Sequence, residues 1–150
     1  MKIYLAADHA GFDLKEKIQT FLETGGYEVY DCGDSVYEKT DDYPDYVGMA
    51  AGAVANDPEG SRGIIFGWTG QGEAMVANRF TGVRAALYAG GDEEIITLSR
   101  LHNNANVLSL GAHFVDEEKA KRLVTLWLET EFKGEERHER RIKKIDTETP

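Results

Sequence analysis

The chain has 150 residues, a hydrophobic content of 41% and a formal net charge of -10 at neutral pH. This length and composition fit one soluble domain with one core, and the acidic surface argues against a nucleic-acid partner. The single cysteine, Cys32, excludes an internal disulfide framework and fits a reducing compartment. No apolar run is long enough to span a membrane and the N-terminus has no signal-peptide pattern, so we expect a cytoplasmic protein without a membrane partner.

Strand-like and helix-like segments alternate along the first part of the chain. Residues 2–7 form a short apolar run, residues 12–22 carry apolar side chains at helical spacing, and residues 27–32 alternate as in a strand. A polar loop at residues 33–42 follows, and Pro44 suits the first turn of a second helix. The turn-forming residues 56–60 end that helix.

The second half of the chain repeats this alternation. Strands are predicted at residues 64–66, 83–88 and 105–110, and helices begin near Glu73, Asp92 and Asp116. Met75 and Val76 are assigned to the core. The alternation predicts a parallel sheet covered on both faces, and therefore a three-layer α/β/α sandwich with a Rossmann-like sheet of about five strands. Residues 1–133 form this single domain, and residues 134–150 form a charged C-terminal tail.

The stretch GIIFGWTGQGEAMVAN, residues 63–78, joins an apolar run to a glycine-rich loop and a helix start. This arrangement points several backbone N–H groups at one place, where the helix N-terminus adds partial positive charge. Such a site binds a phosphate, a carboxylate or an oxyanion. The loop lacks the third glycine of a dinucleotide fingerprint and follows the third strand, so we expect no nucleotide cofactor.

Polar side chains follow three strands at the sheet edge where ligands collect in open α/β folds. Asp8 and His9 follow the first strand, Glu73 starts the helix after the third, and His113 follows the fifth. A carboxylate base beside a donor-lined pocket suits proton abstraction next to a carbonyl. The spacing of these groups matches no metal motif and no Ser-His-Asp elbow is present, so we predict neither a metal ion nor a serine nucleophile.

The tail adds a basic cluster, RHERR at residues 137–141, and guanidinium groups match phosphate geometry. Together with the acid–base groups, this cluster suggests isomerisation of an anionic sugar through an enediolate.

Structural explanations compete with these assignments. Asp8 could simply cap the first helix, His9 could be an ordinary loop histidine, and Glu73 would favour a helix start without any chemistry. Residues 137–144 could form a solvated helix face. Trp68 suits a packing or subunit-contact role slightly better than a substrate contact. The alternative for the whole chain is a non-catalytic anion- or nucleotide-binding module, although a carboxylate at residue 73 would repel a bound phosphate.

Six motifs carry a resemblance to a known family. They are ADHAGFDLKEKI, DDYPDY, the stretch at residues 63–78, GVRAAL, LHNNANVLSLGA and RHERRIKKI, in that order. The chain resembles the type B ribose-5-phosphate isomerases, a family that includes the galactose-6-phosphate isomerase subunits. The resemblance implies an aldose–ketose isomerase, without a cofactor, that is at least dimeric and has its sites at the subunit interface. Ribose 5-phosphate is the expected substrate, with hexose phosphates or free sugars as alternatives.

The resemblance also implies roles for individual residues. Many members have a catalytic cysteine directly after the third strand, where this chain has Gly67, and another branch uses a glutamate at the position of Glu73 as the base. Asp8 and His102 match residues linked to ring opening, and Thr69 matches the oxyanion-stabilising loop. The implied substrate-binding residues are His9, Tyr43, Gly70, Gly72, Asn103, His113, Arg137 and Arg141.

Two positions depart from the family pattern. Trp68 stands where glycine is usual, and His113 stands where several members have a phosphate-binding arginine. A histidine carries only part of a charge at neutral pH, so phosphate affinity could depend on pH.

Strand direction predicts that one chain does not complete the site. The helix from Asp92 runs back toward the amino ends of the strands, so His102 and Asn103 should emerge at the edge opposite Glu73. The last helix delivers the tail to that edge as well. We therefore expect each chain to contribute at least His102 and Asn103 to the active site of a second copy. Residues 134–150 should then lie at the subunit interface.

Overall fold

The computed structural model describes residues 1–33 and 35–147, which contain five strands and six helices. The strands are β1 (Lys2–Ala7), β2 (Glu28–Asp31), β3 (Ser61–Gly67), β4 (Ala85–Tyr88) and β5 (Val107–Gly111). The helices are α1 (Phe12–Thr24), α2 (Tyr43–Asn56), α3 (Gln71–Ala77), α4 (Glu94–Asn103), α5 (Glu117–Glu129) and α6 (Glu136–Thr147).

The five strands form one parallel sheet in the order β2-β1-β3-β5-β4. The register pairs Phe66 of β3 with Ala7 of β1 on one side and with Leu110 of β5 on the other. The loops that follow β1, β3 and β5 therefore leave the sheet side by side. This confirms the α/β class, the five parallel strands and the convergence of three polar segments at the carboxyl edge.

Helices cover both faces of the sheet, as the sequence predicts. One core lies between the sheet and α1, α4 and α5, and Trp127 at its centre is fully buried. The second core lies under α2 and α3, where small and β-branched residues such as Ala50 and Val54 let the helices approach closely. None of the helices in residues 1–33 and 35–147 combines the length and the apolar character needed to cross a membrane.

Several local predictions were wrong. The strand predicted from residue 83 begins at Ala85, because the N–H of Arg84 donates to the side chain of Asn106 (2.8 Å) and not to a neighbouring strand. Met75 is 66% exposed and does not belong to the core, because the short helix α3 buries Glu73, Ala74 and Ala77 on its other side. Val76 is partly buried and packs against the second core.

The charged tail is mostly helical. Helix α6 has one buried side chain, His138. Ile142 and Ile145 continue the face of His138 at helical spacing, but Ile145 is 45% exposed. The helix contacts α4. Residues 148–150, the end of the predicted tail, lie outside the described residues.

Candidate active site

Glu73 occupies the centre of the carboxyl edge. Its side chain is buried, with 4% of the residue exposed, in the first turn of α3. A Cβ atom at Gly67 would lie 1.7 Å from Glu73 Oε1 and 2.1 Å from its Cδ. The carboxylate therefore fills the space that any side chain at residue 67 would need, directly after β3.

Burial raises the pKa of Glu73 above the usual value for a glutamate, and the nearby charge of Asp8 raises it further. A hydrogen bond from the backbone N–H of Glu73 opposes this shift. Burial is the larger influence, so the pKa of Glu73 stays raised. A base must be ionised to accept a proton, so this pKa places the acid limb of any activity closer to neutral pH than an exposed glutamate would.

The glycine loop between β3 and α3 is anchored to strand β5 by a hydrogen bond. Gly70 adopts a left-handed conformation with φ of 74°, and its carbonyl accepts a 2.6 Å hydrogen bond from the buried Ser109 hydroxyl. A Cβ at Gly70 would meet Leu87 at 2.7 Å. Within residues 1–33 and 35–147, the N–H groups of Gly70 and Gly72 have no acceptor. These amides are therefore available to a ligand oxygen near Glu73.

Tyr43 and Thr69 border the same loop. A Cβ at Gly72 would lie 2.7 Å from the Tyr43 hydroxyl, so this glycine lets the phenol ring rest against the loop. The Thr69 hydroxyl accepts from the N–H of Gln71 at 3.4 Å, and its carbonyl lies close to Gly111. Both predicted residues thus lie at the carboxyl edge with Glu73.

Asp8 and His9 continue the site on the β1 side. The Asp8 carboxylate is buried and accepts hydrogen bonds from the N–H groups of Ala10 (3.0 Å) and Gly11 (3.4 Å). It therefore orders the turn before α1 but does not cap this helix, because the N-cap is Gly11 and no side chain accepts a capping hydrogen bond there. The charge of Asp8 also raises the pKa of Glu73. His9 donates through Nδ1 (2.6 Å) and through its backbone N–H (3.0 Å) to Asp41. This contact raises the pKa of His9 and favours its charged form.

Asp41 is the site residue that sequence reasoning missed. It belongs to the DDYPDY motif, but its contact with His9 spans 32 positions and depends on the path of a polar loop. Asp8, His9 and Asp41 place one potential ligand atom each within 4.8 Å of one another. The Asp41 and Asp8 carboxylates already accept hydrogen bonds from His9 and from backbone amides, and the absence of a metal ion stays a prediction.

His113 also reaches the carboxyl edge, where its ring stacks on Trp68 with centroids 4.2 Å apart. Trp68 is 57% exposed, so it is not a core residue.

His102 and Asn103 lie at the opposite edge of the sheet. They end α4, shortly before β5 begins, and Asn103 is exposed. The buried Arg84 guanidinium donates from Nε to the carbonyls of Asn103 and Asn104, both at 3.0 Å. Arg100 Nη1 donates to the Asn104 side chain at 2.7 Å. Two guanidinium groups thus fix the left-handed turn that follows His102.

The arginines of α6 belong to the same edge. The His138 ring stacks on the His102 ring with centroids 4.5 Å apart and planes 16° apart, which joins α6 to α4. Arg137 and Arg141 are exposed on either side of His138, and Arg137 forms an ion pair with Glu135 at 3.0 Å.

The predicted residues therefore form two groups. One group lies at the carboxyl edge and comprises Asp8, His9, Tyr43, Thr69, Gly70, Gly72, Glu73 and His113. The other lies at the amino edge and comprises His102, Asn103, Arg137 and Arg141. A single chain does not bring the two groups together.

The first group defines a class of enzyme. A buried carboxylate beside free backbone amides, at the carboxyl edge of a parallel sheet, is the arrangement of an acid–base isomerase of the α/β class. The chain belongs to the ribose/galactose isomerase family, whose model matches residues 3–145.

Named relatives agree with this assignment. The chain is 39% identical over 142 residues to ribose-5-phosphate isomerase B of Mycobacterium tuberculosis, covering 95% of this chain and 86% of the relative. It is 40% identical over 144 residues to the Escherichia coli protein of the same name, covering 96% and 93%. The structure of the Mycoplasma genitalium enzyme with bound ribulose 5-phosphate superposes with a TM-score of 0.93 at 38% identity, covering 98% and 95% of the two chains.

Proposed function

We propose that the chain interconverts ribose 5-phosphate and ribulose 5-phosphate, with Glu73 as the base that moves a proton between C1 and C2. The observation that carries this proposal is the position of the Glu73 carboxylate, buried against Gly67 beside the free amides of Gly70 and Gly72. The similar M. genitalium structure holds ribulose 5-phosphate, which supports the choice of sugar.

The reaction needs two stages. Asp8 and His102 open the furanose ring by moving the proton between the ring oxygen and the anomeric hydroxyl. Glu73 then removes the C2 proton, and the electron pair moves to the C1 carbonyl oxygen. The amides of Gly70 and Gly72, with Thr69, stabilise the enediolate that forms. Return of the proton from Glu73 to C1 and transfer of the O2 proton to O1 give the ketose, with no net gain or loss of protons.

The remaining residues hold the substrate. Tyr43 and Asn103 contact the sugar hydroxyls. The phosphate is held by four basic residues, His9, His113, Arg137 and Arg141. The contact with Asp41 favours the charged form of His9, and the guanidinium forks match the geometry of phosphate oxygens.

Two copies of the chain complete each site in this proposal. The support is the separation of the two groups on opposite edges of the sheet, together with the rigid attachment of His102 and Asn103 through Arg84 and Arg100. A cavity of about 520 Å³ borders Asn103 at the amino edge, between β4 and α6. It offers room beside Asn103 for a segment of the second copy.

A substrate panel tests the reaction. With pentose and hexose phosphates and free sugars, we expect the highest kcat/KM for ribose 5-phosphate. Solvent deuterium should enter the substrate at C1 or C2 during turnover, because the proton on Glu73 exchanges with water. If no sugar phosphate exchanges hydrogen, the chain is a non-catalytic anion-binding module; a preference for allose 6-phosphate or galactose 6-phosphate would reassign the sugar.

Subunit complementation tests the shared site. The variants Glu73→Gln and His102→Asn should each be inactive alone, since each removes one acid–base group from every site. After equal amounts are unfolded and refolded together, half of the dimers are mixed, and each mixed dimer has one intact site. About a quarter of wild-type activity should therefore return. The same variants refolded separately are the control, and if no activity returns on mixing, each site is built from one chain.

A further inference from the structure

Trp68 and His113 form a stacked pair beside the base. Their ring planes lie 21° apart with centroids separated by 4.2 Å, and Phe114 meets the His113 ring edge-on at 4.9 Å. Trp68 is 57% exposed and Phe114 is 50% exposed. Large aromatic side chains at such exposure gain little from burial, so the pair needs another explanation.

The backbone fixes the pair in register with the catalytic loop. The N–H of His113 donates to the Trp68 carbonyl at 3.1 Å, and the N–H of Ala112 donates to the Gly67 carbonyl at 2.8 Å. These bonds extend the pairing of β3 and β5 past the ends of the strands. Trp68 directly follows Gly67, against which Glu73 packs, so the stacked rings occupy the rim of the same site.

The His113 ring has no hydrogen-bond partner among residues 1–33 and 35–147. Two aromatic contacts alone orient it. Stacking uses the face of the imidazole and leaves both ring nitrogens free at its edge. An oriented histidine with unoccupied nitrogens is a pre-organised donor for an anionic oxygen.

We propose that Trp68 is a positioning residue that holds the His113 imidazole in the orientation in which it binds the substrate phosphate. This inference rests on the proposed function, which assigns the phosphate to His113 and three other basic residues. A guanidinium presents a rigid fork of donors, whereas an imidazole presents single donors whose direction depends on the ring. An indole face stabilises a neutral imidazole by stacking and a charged one by a cation–π contact.

The test separates substrate binding from chemistry. We expect Trp68→Ala to raise KM for ribose 5-phosphate by about threefold to tenfold, the range that one aromatic pair accounts for, with a much smaller change in kcat. Trp68→Phe should restore most of the affinity, because it keeps an aromatic face. Tyr30→Ala is the matched control, since Tyr30 is another exposed and stacked aromatic residue, paired with Tyr4 at 5.3 Å, and has no role in the site.

A double-mutant cycle shows whether Trp68 acts through His113. The variant Trp68→Ala/His113→Ala should bind no more weakly than His113→Ala alone. If the two effects multiply, or if Trp68→Ala leaves KM unchanged, Trp68 does not position His113. Calorimetric titration with inorganic phosphate separates this result from a failure of the proposed function. Weaker phosphate binding in Trp68→Ala supports the positioning role even if no sugar is isomerised, and unchanged phosphate binding overturns it.

Discussion

Replacement of Glu73 by glutamine should reduce kcat by about a thousandfold, while ribose 5-phosphate still binds. A positioned general base contributes about this much to a proton transfer. Glutamine keeps the shape of the buried side chain but cannot accept the C2 proton. Turnover and solvent deuterium exchange measure the loss, and calorimetric titration with ribose 5-phosphate measures the binding.

The same variant should be at least as stable as the wild type at neutral pH. The pKa of Glu73 is raised in the folded protein, so protonated Glu73 favours the fold and ionised Glu73 opposes it. The wild type loses this stabilisation as pH rises from the usual glutamate pKa through the raised value. Melting temperatures of the two proteins should therefore converge in acid, where neither side chain is charged.

Full activity in Glu73→Gln would assign the base to another residue.

The second large effect concerns Gly67, where alanine should reduce kcat by about a hundredfold. The added Cβ would lie 1.7 Å from Glu73 Oε1, so the carboxylate must move. A displacement of this size commonly costs two orders of magnitude in rate. KM should change less, because the residues proposed to bind the phosphate do not contact Gly67.

Gly48→Ala is the matched control for this substitution. A Cβ at Gly48, within α2, would meet nothing closer than 3.9 Å, and alanine favours a helix interior by about 0.5–1 kcal/mol. This variant should keep its activity and gain stability in urea unfolding. If Gly67→Ala also kept wild-type kcat, catalysis would not depend on the position of the Glu73 carboxylate against residue 67.

The sequence was sufficient to predict much of the fold and the edge of the sheet at which each candidate residue lies. Period-two and apolar runs identify strands, and parallel strands place Asp8, Glu73 and His113 at one edge without knowledge of any contact. Strand direction also separates His102 from that edge. These predictions depend on topology, which local patterns determine.

The remaining features depend on packing, which local patterns do not encode. Asp41 pairs with His9 only through the course of a polar loop. Helix α6 is attached through the stack of His138 on His102 and through Asp146, which accepts a hydrogen bond from the N–H of Gly82 at 3.0 Å. Both contacts join residues far apart in the sequence. Met75 lies two residues after Glu73 in a helix of seven residues. The buried face of this helix includes Glu73, so Met75 points to the exposed side.

The contact between Gly67 and Glu73 has a consequence for the ancestry of the site. A relative with a cysteine at the position of Gly67, as the family resemblance implies, would place a side chain where this chain has a carboxylate. With Glu73 as the proposed base, a lineage would not exchange one base for the other in a single step. A side chain at residue 67 would displace the Glu73 carboxylate, and loss of Glu73 would remove the proposed base. Positions 67 and 73 should therefore be inherited as a pair, and the two kinds of base should mark separate branches of descent.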